Sequence, residues 1–328
     1  MPDLYNILLD LNTMDYFDSN AVKNALPYPQ LIEALTQGLQ LPIEVPPRSF
    51  FAPNADTSSV LIMPAWKAQE VLGVKLVSVW PSNKAIGLPT VSAIYVLLSC
   101  ENGMPLAVID GTELTLRRTA AAAALAAKIL ARKNSQTLAI LGTGALCVPM
   151  VQAHASVHPF KNILIWGRQK TKALEAVAEL KTLGIESNYS EDLAETLNQA
   201  DVVAAATTAT EPFILSKWLK PGTHLGLIGA FTTQMAEAEP ALMSQAQVFA
   251  DNRAAVLEKG GEIYQAIQQG ILLPEGIEGE LAELASDPSK SWRKNDQSIT
   301  VFKSVGFASL DLIAAELVYK ADSHKTVK

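Results

Sequence analysis

Residues 142–147 read Gly142-Thr143-Gly144-Ala145-Leu146-Cys147 and follow the apolar run 137–141. A glycine pair between a strand and a helix suits a phosphate-bearing ligand. The first glycine permits a tight bend, the second lets backbone approach a pyrophosphate, and the helix N-terminus offers N–H groups and positive dipole. Cys147 stands where a third glycine would complete the fingerprint, at a position that mainly serves packing of helix on strand, so a small residue is tolerable there. A bare glycine pair has many structural explanations; its weight comes from its place in a strand–turn–helix–strand unit. Gly142, Thr143, Gly144, Ala145 and Leu146 are therefore candidate dinucleotide contacts.

The next strand ends in Trp166-Gly167-Arg168-Gln169-Lys170. NAD enzymes usually place an acidic residue about 20 residues after the glycines, to hold the ribose hydroxyls. With no Asp or Glu there, Arg168 and Lys170 match a 2′-phosphate better, so NADPH (NADP) is expected, with NADH less favoured. A charge-assisted hydrogen bond of about 1.5–3 kcal/mol would give Arg168 roughly tenfold to hundredfold discrimination; the bland alternative is a solvated arginine. Ala206-Thr207-Thr208-Ala209-Thr210 follows a further strand with small residues, where a dinucleotide passes in such sheets. Thr207, Thr208 and Ala209 join the candidates, although small loop residues also serve packing alone.

Three cations stand in unfavourable local settings. Arg48 follows two prolines at the start of an extended segment, and Lys75 alternates with Val77 and Val79 in 73–79. Arg118 opens an Ala-rich helix, where the dipole disfavours positive charge unless an anion is present. Each alone reads equally well as a surface arginine, a snorkelling lysine or a structural ion pair. Together they suggest one shared anionic ligand, most simply a carboxylate.

Other chemistries find little support. His154, His158, His224 and His324 form no metal-ligand set, since the i, i+4 pair His154/His158 has no carboxylate or third ligand nearby in sequence. Cys100 and Cys147 indicate neither disulfide nor thiolate site, and no Gly-x-Ser-x-Gly elbow occurs. A net charge of −7 argues against nucleic acid as a partner. The most apolar windows, 91–100 and 120–127, fall well short of the roughly 20 residues of a membrane span. Asp3, Asp10 and Asp15 leave the start of the chain unlike a secretory leader, so a soluble cytoplasmic protein is expected.

These residues need elements to hold them. The 328 residues, 49% of them hydrophobic, allow two cores. Helical spacing covers 28–39, and Pro42, Pro46 and Pro47 then lead into an extended segment at 48–51. Runs 60–63, 71–80, 90–99 and 105–109, punctuated at Ser82-Asn83 and Asn102-Gly103, predict a largely antiparallel sheet. A long helix over 115–132 follows. Strands at 137–141, 162–166, near 185, 201–207, 224–228 and 247–250, with helices at 145–157, 172–183 and 191–198, predict a doubly wound parallel sheet. The fold class is thus α/β: a Rossmann domain over 117–306 and a smaller, largely antiparallel α+β substrate and dimerisation domain over 1–116 and 307–328. The last helix, 307–320, packs back on the smaller domain.

Met63-Pro64-Ala65, Gly73-Val74-Lys75, Asn83, Gly87-Leu88-Pro89-Thr90, Leu106-Ala107 and Arg118-Thr119-Ala120-Ala121 resemble the ornithine cyclodeaminase and mu-crystallin family. The resemblance continues through the glycine turn, Glu211-Pro212, Gly229-Ala230, Glu237, Gly261-Glu262, Phe302-Lys303-Ser304-Val305-Gly306 and Asp311, and covers nearly the whole chain. It implies a homodimer joined through the sheet domain and a nicotinamide cofactor in the Rossmann domain. It also implies that Arg48, Lys75 and Arg118 hold a substrate carboxylate, with Met63 and Thr233 in the substrate site and Thr119, Ser304 and Gly306 among the cofactor contacts.

Family members include cyclodeaminases, alanine dehydrogenases, ketimine reductases and a thyroid-hormone-binding crystallin. In cyclodeaminases an aspartate after the Gly-Ala element handles the substrate amino groups, whereas Gly229-Ala230-Phe231-Thr232-Thr233-Gln234-Met235 puts Thr233 or Gln234 there. A neutral residue is a poor acid–base group and a poor anchor for an ammonium. The resemblance then implies an oxidoreductase acting on C=N bonds: NADPH-dependent reduction of Δ1-pyrroline-2-carboxylate to L-proline, and of its six-membered analogue to L-pipecolate. Lys75 is the expected proton donor or relay. The alternatives are an ornithine cyclodeaminase, a non-catalytic ligand binder resembling mu-crystallin, and an alanine dehydrogenase.

Overall fold

The structure is a computed structural model in which residues 14–54 and 58–323 are described. Asp3, Asp10 and His324 lie outside the described residues.

In chain order the first elements are β1 (Asp15–Phe17), α1 (Ser19–Ala25), α2 (Tyr28–Gly38), β2 (Ser49–Phe51), β3 (Ser59–Lys67), β4 (Val71–Val79), β5 (Val91–Ser99), β6 (Pro105–Asp110) and α3 (Gly111–Leu130). The alternation then runs β7 (Thr137–Leu141), α4 (Cys147–Val157), β8 (Asn162–Trp166), α5 (Lys170–Thr182), β9 (Asn188–Tyr189), α6 (Leu193–Gln199), β10 (Val202–Ala205) and β11 (His224–Leu227). It ends with β12 (Ala246–Ala250), α7 (Arg253–Lys259), α8 (Glu262–Gln268), β13 (Ile277–Glu280), α9 (Leu281–Ser286), β14 (Ile299–Lys303) and α10 (Ala308–Ser323). The chain divides into two compact units, residues 1–27, 41–118 and 308–328 in one, and 28–40 and 119–307 in the other. Helix α2 thus groups with the second unit although its sequence neighbours belong to the first.

In the first unit the strands form one sheet in the order β1-β6-β5-β4-β3-β2, antiparallel except for the edge pair β1·β6. The period-two pattern has a physical outcome here: Met63, Ala65 and Lys67 of β3, Val71, Gly73 and Lys75 of β4, and Tyr95 and Leu97 of β5 are all buried on one face. Helix α10 packs on β3 and β4, and α1 packs on α10 and β6. Strand β3 runs to Lys67, past the end expected at Met63, because Pro64 weakens the strand signal without ending the pairing. The β5–β6 turn forms at Asn102-Gly103, where Gly103 takes φ +76° and the Asn102 side chain accepts the Met104 N–H.

In the second unit eight parallel strands run β13-β12-β14-β11-β10-β7-β8-β9. Strands β7, β10 and β11 are buried throughout, as expected of apolar runs covered on both faces. The order departs from β7 toward β8 and β9 on one side and toward β10 and β11 on the other, so the topological switch point lies between β7 and β10. Strands β13 and β14 are absent from the sequence expectation; β14 lies inside the sheet, between β11 and β12. The fold is the Rossmann-type doubly wound sheet plus a largely antiparallel sheet. Among the described residues no helix is long and apolar enough to cross a membrane.

Candidate dinucleotide turn and buried cation cluster

At the C-terminal end of β7, Gly142 has φ +114° and donates its N–H to the carbonyl of Trp166 at 2.9 Å. A Cβ on Gly142 would lie 2.7 Å from the Ala206 carbonyl oxygen, so only glycine fits between the loops after β7 and β10. Gly144 and Ala145 are exposed, and a Cβ on Gly144 would meet nothing within 4 Å. The turn thus presents bare backbone to open space ahead of α4, which is the shape a pyrophosphate needs. Helix α4 begins at Cys147 rather than 145, because the Cys147 N–H turns back to the Gly144 carbonyl at 2.9 Å. Cys147 is buried, and burial, with Glu179 adding to it, pushes its thiol up to about 12.

Gly167 abuts Thr143: a Cβ there would come within 2.6 Å of Thr143 Cγ2. Arg168 is exposed and has no hydrogen-bond or ion-pair partner among the described residues. Lys170 lies 5.3 Å from the Tyr189 ring centroid and 3.9 Å from Glu191, at 60% side-chain exposure. After β10, Thr207 donates its N–H at 2.7 Å and its hydroxyl at 2.9 Å to the buried carboxylate of Glu237, while Thr208 is exposed. The Ala209 N–H donates to the Thr207 hydroxyl at 3.3 Å. Ser304 and Gly306, after β14, both donate to Asp251 at 2.7 Å. These candidate dinucleotide residues belong to the second unit, as does Thr119, half-buried in α3. The two carboxylates that shape their loops, Glu237 and Asp251, carry no role in the sequence reading. Asp251 follows the apolar strand β12, and that setting is the signal that points to it.

In the first unit, Lys75 is 2% exposed, and its ammonium lies 2.9 Å from Oδ1 and 2.8 Å from Oδ2 of Asp311 in α10. Arg118 donates Nε–H to Asp311 Oδ1 at 2.8 Å, and Lys75 also reaches the Thr115 hydroxyl at 3.3 Å. Two cations thus share one carboxylate, and one positive charge stays unmatched within the trio. Burial lowers Lys75 to about 8; Asp311 opposes the fall, and Arg118 and Arg48 add to it. Burial would raise Asp311, yet Arg118 and Lys75 hold it below its usual range. Met63, buried, pairs with Lys75 across β3 and β4; Arg48, half-buried, precedes β2 and acts on Lys75 electrostatically.

Helix α3 starts at Gly111, so Arg118 stands two turns inside it, beyond the reach of the N-terminal dipole, and its burial against Asp311 is what demands an anion. Asp311 is the residue that spacing misses. Beside the family resemblance, the signal for it is an aspartate within Leu310-Asp311-Leu312-Ile313-Ala314: a lone acid in a buried helix needs partners.

Thr233, half-buried in the loop after β11, accepts a hydrogen bond on its carbonyl from Gln265 at 3.0 Å, and Gln234 is exposed. His154 and His224 are buried, with burial first among the causes lowering them to about 4 and about 3, so both are neutral at pH 7. No group of three metal-ligating side chains occurs among the described residues.

Known proteins resemble the chain in sequence and in fold. The chain is 36% identical over 290 residues to a Δ1-pyrroline-2-carboxylate reductase of Paracoccus denitrificans, covering 88% of this chain and 90% of that one. Its fold is similar to that of a Δ1-pyrroline-2-carboxylate reductase of Thermococcus litoralis, solved with NADH and L-proline, at a TM-score of 0.90 and 30% identity over 96% of this chain and 99% of that one. An archaeal alanine dehydrogenase dimer with bound NAD is similar at a TM-score of 0.88 and 28% identity, over 96% of this chain and 97% of that one. The family model described as ornithine cyclodeaminase/mu-crystallin matches residues 19–326, and the chain belongs to that family.

Proposed function

We propose that the protein is an NADPH-dependent ketimine reductase that converts Δ1-pyrroline-2-carboxylate to L-proline, and its six-membered analogue to L-pipecolate. The observation that carries this is the Lys75–Asp311–Arg118 trio, a buried cluster with a surplus positive charge beside the half-buried Arg48. Arg48, Lys75 and Arg118 bind the substrate carboxylate, and Met63, opposite Lys75 in β3, bounds the ring. An imine accepts hydride well once protonated, and the Lys75 ammonium, lowered to about 8 by burial, is the acid that supplies or relays that proton. The neutral loop 229–235 offers no carboxylate for a side-chain ammonium, which favours direct imine reduction over cyclodeamination.

Gly142 to Leu146, Thr119, Thr207 to Ala209, Ser304 and Gly306 hold the dinucleotide, and Arg168 with Lys170 takes the 2′-phosphate. When bound, NADPH supplies the hydride. The similarity to reductases and dehydrogenases solved with NADH or NAD supports a nicotinamide cofactor, and the preference for NADPH rests on Arg168.

A homodimer belongs to the same reading. The outer face of the first sheet carries apolar cross-strand rows, Ile62–Leu76–Ile94 and Val74–Val96–Val108, all only partly buried or exposed. A second copy would cover such a face. A cytoplasmic location, where NADPH is kept reduced, goes with it.

NADPH-oxidation kinetics with pyrroline-2-carboxylate, piperideine-2-carboxylate and pyruvate plus ammonia, with ornithine as control, decide the matter. A marked preference for a cyclic imine is expected. Ammonia release from ornithine without net NADPH consumption would overturn the proposal.

A further inference from the structure

Glu237 is fully buried and takes no part in the chemistry above, yet its carboxylate ties together the C-terminal ends of two central strands. Oε1 accepts the N–H and the hydroxyl of Thr207, after β10, at 2.7 and 2.9 Å, and Oε2 accepts the N–H of Gly229, after β11, at 2.7 Å. The two loops are in direct contact there: a Cβ on Gly229 would lie 2.1 Å from the Thr207 carbonyl oxygen. The loop after β10 also presses on the phosphate turn, since a Cβ on Gly142 would lie 2.7 Å from the Ala206 oxygen and 3.0 Å from Thr207 Cγ2. Glu237, Thr207 and Gly142 therefore form one mechanical chain ending at the switch point of the sheet.

We propose that Glu237 is a positioning residue for the dinucleotide: acting through Thr207 and Gly229, it holds the loop after β10 in the shape that receives the cofactor. The proposal rests on the dinucleotide reading of the second unit and is independent of which imino acid is reduced.

Three donors on two oxygens favour the ionised form, because protonation turns one oxygen into a donor and weakens it as an acceptor for the N–H groups aimed at it. The charged groups facing Glu237 are Lys303 of β14 and Glu262 of α8, which pair with each other at 2.8 Å. Burial raises Glu237 to about 6, against Lys303 and with Glu262. The grip on Thr207 therefore loosens within an accessible pH range.

The test is direct binding of NADH and NADPH to the full chain, followed by nucleotide fluorescence from pH 5.5 to 8, with wild type and Glu237→Gln. NADH is the diagnostic ligand, since the 2′-phosphate of NADPH itself titrates near about pH 6. Wild type should bind NADH about threefold more weakly at pH 5.5 than at pH 7.5, as the ionised fraction falls. Glu237→Gln should bind about tenfold more weakly at pH 7.5, one N–H having lost its acceptor, and show no change down to pH 5.5. A purely structural role would lower the melting temperature of the variant without abolishing that pH profile.

Constant NADH affinity in wild type across the range overturns the inference, even if the variant does not fold. So does a variant that binds within twofold of wild type. Failure of wild type to bind either dinucleotide would overturn the dinucleotide reading itself, and this inference with it.

Discussion

The ammonium of Lys75 is clasped by both oxygens of Asp311, at 2.9 and 2.8 Å, although the two residues are 236 positions apart in the chain. The same Oδ1 receives Arg118 Nε–H at 2.8 Å. The trio sets the charge of Lys75 through opposing effects, burial removing the proton and Asp311 retaining it, and its balance near 8 makes the cluster sensitive to pH and to single substitutions.

Turnover should fall as pH rises through about 8, because deprotonation leaves Lys75 unable to donate a proton or to attract a carboxylate. Lys75→Ala should abolish that limb and reduce kcat by about 10²–10⁴, the usual contribution of a positioned acid. NADPH affinity should be unchanged, as measured by direct titration. Equal loss of turnover and of cofactor binding would make the lysine structural.

Asp311→Asn removes the one attraction that keeps Lys75 protonated against burial, so the alkaline limb should move to lower pH. It also strands two buried cations beside each other, which should cost about 3–5 kcal/mol of stability. Urea unfolding reads the second effect and the pH–rate profile the first; a variant with wild-type values for both would show that the ion pairs carry little.

Arg168→Ala should leave NADH affinity unchanged and weaken NADPH binding by about tenfold to hundredfold, the range of one charge-assisted hydrogen bond. Because Arg168 is exposed, folding should be unaffected. A parallel loss for both nucleotides would assign the arginine to the pyrophosphate instead.

The Tyr95 hydroxyl is buried with no hydrogen-bond partner among the described residues, beneath Gly73. Tyr95→Phe should therefore leave stability unchanged or raise it by about 1 kcal/mol, since no hydrogen bond is lost. Gly73→Ala should destabilise by about 1–3 kcal/mol or more, its Cβ falling 1.9 Å from the phenol oxygen and 2.5 Å from Cζ. The double variant should recover only part of the loss, because the ring carbon remains. Differential scanning calorimetry of the three variants checks the set.

Much of this protein is legible along the chain because the relevant physics is local. Short, largely apolar runs produced β7, β8, β10 and β11 close to their expected bounds. The glycine turn could be located because tight bends and close backbone approach have few solutions among side chains. Strands β13 and β14 escaped notice because polar residues interrupt their apolar pattern: Glu278 and Glu280 in β13, and Thr300 and Lys303 in β14, the last two buried through partners elsewhere in the chain.

What amino-acid order determined by itself was the kind of fold, the glycine turn and the three suspect cations. Which carboxylate answers those cations, where helix α3 begins relative to Arg118, and which buried acids shape the loops after β10 and β14 were decided by tertiary structure alone. Burial and charge pairing act through space, and the partners of Lys75, Thr207 and Ser304 come from segments 236, 30 and 53 residues away, beyond any pattern that periodicity or spacing can register.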